Sequence, residues 1–192
     1  MAAVGTVPEG TIPAFFAPQE LRRVFAAGEV LFLADAARLE ALGGDRLLRE
    51  LVAGDRRRTP QALAEGAAVP AIGLEPGYYT VMARSTETEG AMALLSNIVF
   101  SAGFILGTAS GELQLWSGDR VAPDRDAERG EAVDRRITVT PGWYRVTVVA
   151  GIRLDDEGEE TREWVCCFLL EPSAAQPEPL GDMSKTLGLF GS

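Results

Sequence analysis

"LEPGYYTVMA" (residues 74–83) and "VTPGWYRVTV" (residues 139–148) are two versions of one pattern, and their reading decides the fold. At an offset of 65 residues, Ile72 matches Ile137, Leu74 matches Val139, and Pro76 and Gly77 match Pro141 and Gly142. Tyr79 and Val81 likewise match Tyr144 and Val146. Pro fixes φ at the second position of a turn and Gly accepts a positive φ at the third, so each x-Pro-Gly-x predicts a type II turn. Such turns splay the strands of a hairpin, so each Pro-Gly is expected to form a corner between two strands. The repeated unit, 72–83 and 137–148, reads as strand, corner, strand.

Side chains on a strand alternate between faces. Tyr79, Val81 and Ala83 share one face, as do Tyr144, Val146 and Val148, and these apolar sets are expected to line the core. The other face carries Tyr78, Thr80, Met82 and Arg84 in the first copy and Trp143, Arg145, Thr147 and Val149 in the second. Tyr78, Trp143 and Arg145 are therefore the candidate binding residues, because Tyr, Trp and Arg dominate interface hot spots. The alternative is that an N-terminal helix covers this face and buries the aromatics.

Outward from the repeat, residues 71–171 form a β-rich region. Val, Ile, Tyr, Trp and Thr are frequent there, and turn residues recur about every ten positions. Strands are predicted near 70–75, 78–85, 98–106, 111–116, 135–140, 143–153 and 162–170. The uncharged stretch from Gly90 to Ser110 is long enough to span a membrane as a helix. It is diluted by Ser, Asn, Thr and Gly and lacks flanking cations, so it reads as a buried strand after a short helical or loop piece at Ala91–Ser96. Residues 118–130 read as a polar loop, and "DDEGEE" (155–160) as a hairpin tip around Gly158.

Residues 1–54 read as an α-rich segment that packs on the β region. A helix is predicted over Pro18–Gly28 from the spacing of Leu21, Val24 and Phe25. "EVLFL" (29–33) has strand length, and Asp35 is placed as the cap of a further helical stretch broken at Gly43 and Gly44. Residues 55–70 read as a linker and 172–192 as a Pro-containing tail that ends on Leu187, Leu189 and Phe190. The expected fold class is α+β, with a predominantly antiparallel, sandwich-like sheet region.

Composition removes much chemistry. Among 192 residues there is no His, and Lys185 is the single lysine. Histidine-based acid–base catalysis, Ser-His-Asp triads and most zinc sites fall away, as do phosphate-loop and Schiff-base lysines. Cys166 and Cys167 are adjacent, point to opposite faces of a strand and are expected as buried thiols with no disulfide. What survives is carboxylate chemistry, with Glu112 and Glu163 as the acids in ordered surroundings. No cofactor and no metal site is expected.

The net charge of −10 disfavours nucleic acid and anionic membranes and favours a basic protein partner. The N-terminus carries no signal-peptide pattern, so a cytoplasmic setting is expected.

The stretch "RRITVTPGWYRVTVVAG", with the acidic hairpin and apolar strand after it (about 135–170), resembles the competence protein J family of small bacterial nuclease inhibitors. The resemblance implies a non-enzymatic, immunity-type protein that blocks a nuclease or toxin by occupying its basic cleft. Two other function classes stay open. One is a carboxylate-based hydrolase or carbohydrate-binding protein using Tyr78, Trp116 and Trp143 as stacking platforms. The other is a homo-oligomer joined through Leu187, Leu189 and Phe190.

Overall fold

A computed structural model describes residues 6–26, 29–44, 46–48, 63–85, 93–117 and 135–180. Over these residues the chain is mostly β, in two sheets. One sheet has five strands in the order β1-β4-β9-β8-β5, and the other has four in the order β3-β2-β6-β7. The strands are β1 (Gln19–Ala26), β2 (Val30–Ala34), β3 (Ala68–Ile72), β4 (Gly77–Ser85), β5 (Leu95–Thr108), β6 (Glu112–Ser117), β7 (Arg136–Thr138), β8 (Gly142–Leu154) and β9 (Glu160–Ser173). A seven-residue helix, α1 (Ala36–Leu42), follows β2.

Each copy of the repeat carries the chain from the four-stranded sheet into the five-stranded one: β3 turns into β4, and β7 turns into β8. Tyrosine closes both corners. The Tyr79 hydroxyl donates to the Glu75 carbonyl at 3.0 Å, and the Tyr144 hydroxyl donates to the Thr140 carbonyl, four residues upstream in each case. This is the tyrosine-corner device of Greek-key proteins, used twice. The predicted type II geometry is not what the glycines adopt: Gly77 is not left-handed, and Gly142 has φ 149°. Close approach demands glycine there. A Cβ on Gly77 would meet Trp164 Cζ3 at 2.8 Å, and one on Gly142 would meet Pro13 Cγ at 2.2 Å.

The core lies between the sheets. Tyr79, Val81, Ala83, Tyr144, Val146 and Val148 face it from the five-stranded sheet, with Cys166, Phe168 and Leu170 beside them. Leu31, Leu33, Val69, Leu113, Leu115 and Ile137 close it from the four-stranded sheet. Full burial of one such Leu or Phe stabilises the fold by about 2 kcal/mol. Both pairs of sheet edges are bridged. On one side, the Gly107 amide donates to the Gly66 carbonyl at 2.8 Å. On the other, the Gln19 side-chain amide donates to the Thr138 carbonyl and accepts from the Thr138 amide at 3.0 Å.

The helix predicted over Pro18–Gly28 is strand β1, paired antiparallel with β4. Its register slips between Leu21 and Val24 because Arg22 and Arg23 form a bulge, with Arg23 at φ 56°. The extra residues shift the apolar alternation and mimic helical spacing. The cap at Asp35 is as expected, since its side chain accepts from the Arg38 amide at 3.0 Å. Leu39 of α1 packs with Leu47, Leu48, Leu63 and Trp116 on the outer face of the four-stranded sheet.

Strand β3 starts at Ala68, inside the stretch read as linker, and pairs along β2. Strand β5 starts at Leu95, where a helical or loop piece was predicted. The pair β4–β9 is parallel, whereas the other strand pairs are antiparallel. The 118–130 loop, the first half of the linker (55–62) and the tail residues Lys185, Leu187, Leu189 and Phe190 lie outside the described residues. Among the described residues no helix is long and apolar enough to cross a membrane.

Candidate functional site

The sheet order decides which candidate residues meet. β4 runs parallel to β9, and β8 runs antiparallel to it, so the two repeat copies enter the sheet from opposite ends. Tyr79 is level with Trp164 on β9, whereas Trp143 is level with Ser173. At about 3.3 Å per residue this separates Tyr78 from Trp143 by roughly 30 Å. Tyr78 is 61% exposed and Trp143 only 4%. Arg145 is exposed and in register with Glu171, at Trp143's end of the sheet. Trp116, 6% exposed, is packed in the layer beneath α1.

Trp143 is covered by Val7 and Ile105, with Gly66 and Gly107 pressed on its ring. The Arg38 guanidinium lies 5.0 Å from the ring centroid and donates to the Glu65 carbonyl at 2.6 Å. Burial lowers the Arg38 pKa, and Asp35 and Glu65 oppose that. The cover comes from an N-terminal segment, the loop before β3 and the Arg38 side chain of α1.

Tyr78 remains as the exposed aromatic of the repeat. Its ring lies 5.1 Å from that of Phe25 on β1, and the Arg23 guanidinium sits 5.6 Å above it. Both contacts depend on the β1 bulge: the left-handed Arg23 turns its side chain over β4, a conformation seldom adopted by non-glycine residues. Together they border an open groove of about 400 Å³, lined by Arg22, Arg23, Tyr78, Thr80, Arg162 and Glu163 among others. These residues come from β1, β4 and β9. Phe25, Arg22 and Arg23 escape the sequence reading because β1 reads there as a helix, and a helix would not place them beside Tyr78; Arg162 escapes it because its place beside them depends on β9 pairing with β4.

A polar chain links lining residues of the groove through Arg153 and Glu20. The Thr80 hydroxyl donates to Glu163, whose other oxygen pairs with Arg153 at 3.2 Å. Arg153 also pairs with Glu20 at 3.1 Å, and Glu20 holds Arg22 at 2.7 Å. Burial alone would raise the Glu20 pKa, but the hydrogen bonds and charges of Arg22 and Arg153 outweigh it and hold the carboxyl below its usual value. The same bond to Glu20 raises Arg22.

Two solved structures resemble this one. One is described as crocagin biosynthetic gene J, with TM-score 0.47 and 16% identity, covering 80% of this chain and 98% of that one. The other is ComJ from Bacillus subtilis, inhibitor of the DNA-degrading activity of NucA, with TM-score 0.43 and 11% identity, covering 85% of this chain and 99% of that one. The competence protein J resemblance read from residues 135–170 is thus present as a weak structural likeness. No family model and no curated protein matches the chain.

The acids expected for hydrolysis are apart. Glu112 is exposed on β6 of the other sheet, and Glu163 on β9 is engaged by Thr80 and Arg153. Among the described residues no cluster of three or more His, Cys, Asp or Glu is arranged to hold a metal. Cys166 and Cys167 are buried free thiols; burial raises both, Cys167 to about 12. A thiol held so far from ionisation is a poor nucleophile.

Proposed function

We propose that the chain is a non-enzymatic binding protein of the inhibitor type, engaging a protein partner through the surface around Tyr78. The observation that carries this reading is the exposed Tyr78–Phe25 pair with Arg23 over it, an aromatic and guanidinium cluster of hot-spot composition beside an open groove. Thr80, Glu163, Arg153, Glu20 and Arg22 are already paired with one another, so this part of the surface is preformed and loses little side-chain freedom on binding. The nuclease inhibition stated for the Bacillus subtilis protein belongs to that protein; for this chain the reading stands on the groove.

The test compares capture from a lysate of the source cells by wild type, Tyr78→Ala and Arg145→Ala. A protein held by wild type and by Arg145→Ala but lost by Tyr78→Ala supports the reading. Equal capture by Tyr78→Ala sinks it, as does purified protein that hydrolyses a glycan or ester.

A further inference from the structure

We infer that the segment of the partner seated in the Tyr78 groove is acidic: two or more carboxylates flanking an apolar side chain. The inference rests on the reading of this surface as a protein-binding site and names the chemistry that it selects.

The lining residues carry the argument. Arg22, Arg23 and Arg162 are exposed around the groove, and Glu163 is the one acid among its lining residues. The oxygens of Glu163 are taken by Thr80 and Arg153, and Arg22 is held through its Nε by Glu20, so the groove offers chiefly the guanidinium N–H donors of Arg23 and Arg162 and little to accept a bond. A planar guanidinium pairs with a carboxylate through two parallel hydrogen bonds, which makes an acidic side chain the matching ligand. The Tyr78 and Phe25 rings supply the apolar seat between these charges.

Such a cluster is out of keeping with a chain of net charge −10. Two acids of the neighbouring β8–β9 tip are directed elsewhere. Asp155 is folded onto the amides of Glu157 and Glu159, and Glu160 is held by Asn97 of β5, on the far side of the sheet from β1. The overall charge and the groove act at different ranges. Net acidity steers approach over distances up to the screening length of about 8 Å, while the arginines select what makes contact. Single-stranded nucleic acid would also stack on Tyr78, but every phosphate added beyond the groove would meet an acidic surface.

The experiment uses the full chain and three labelled probes of similar length read by fluorescence anisotropy: a Glu/Leu peptide, a Lys/Leu peptide and a single-stranded oligonucleotide. The expected result is preference for the Glu/Leu peptide, weakened by salt. Arg23→Glu/Arg162→Glu should cut that affinity at least tenfold and favour the Lys/Leu peptide, while Arg145→Glu changes it less than twofold. An unchanged urea midpoint in the double variant shows that it folds; if it does not, Arg162→Gln alone should lower the affinity threefold or more. Wild type that binds the Lys/Leu peptide or the oligonucleotide at least as tightly, or binds none of the three, overturns the inference. A partner lost by Tyr78→Ala but kept by Arg23→Glu/Arg162→Glu overturns it too, and leaves the protein-binding reading standing.

Discussion

Tyr78 and Trp143 hold equivalent places in the repeat, yet the fold sets them at opposite ends of one sheet, one exposed and the other buried. The relationship follows from β9 lying between the two copies, parallel to β4 and antiparallel to β8. What the copies share is therefore the inward tyrosine, and what they do not share is their surroundings.

The inward tyrosines give the first prediction. Tyr79→Phe and Tyr144→Phe each remove the hydroxyl that closes a corner and leave a backbone carbonyl short of a partner. Each should cost about 1.5 kcal/mol of unfolding free energy in urea titrations. The corners are roughly 25 Å apart by strand rise, so the double variant should lose about the sum. A double variant no less stable than either single one would mean that the corners are not independent.

Alkaline pH provides a second check. Burial pushes Tyr144 up to about 12 and Tyr79 further. The folded state favours the protonated phenols, so their contribution is complete below the unfolded value of about 10 and is lost as pH rises from there through the folded value. The urea midpoint should fall across this window, and Tyr144→Phe should reduce the slope. An identical slope in the variant contradicts the assignment.

At acid pH the sign reverses. Glu20 is held below its usual value by Arg22 and Arg153, so its contribution is present above the unfolded carboxylate range of about 4.3 and disappears as pH falls through the folded value. Glu20→Gln should be less stable than wild type at neutral pH and should approach it at acid pH. A stability gap that does not close on acidification counts against this coupling.

Packing on Trp143 yields the fourth prediction. A Cβ on Gly107 would lie 2.6 Å from Trp143 Cζ3, so Gly107→Ala must displace the indole or the strand. The expected cost is about 2 kcal/mol, with a shift in tryptophan emission as the ring gains solvent. Unchanged stability and emission would show that the indole has room to move.

Much of the β architecture is legible in the sequence because alternation and Pro-Gly corners are local signals. The strands from β4 onward fall close to where these signals place them, and Tyr79 and Tyr144 face inward as the alternation requires. β1 is hidden because its Arg22–Arg23 bulge breaks the alternation just where Leu21, Val24 and Phe25 imitate a helix. The site is legible only at Tyr78. Its neighbours come from β1 and β9, and that juxtaposition depends on strand order, which no short stretch encodes. Trp143 reads as facing away from the core between the sheets, and it does; what covers it arrives from Val7, the Gly66 turn and Arg38 of α1, far off in the chain.

Gln19 deserves a last consequence. Its side-chain amide makes with Thr138 the donor and acceptor pair that a neighbouring strand would make. One side chain thus shields the outer rim of β7 from adhesion to other molecules. Gln19→Ala should leave the monomer folded yet prone to stick to its own kind as concentration rises.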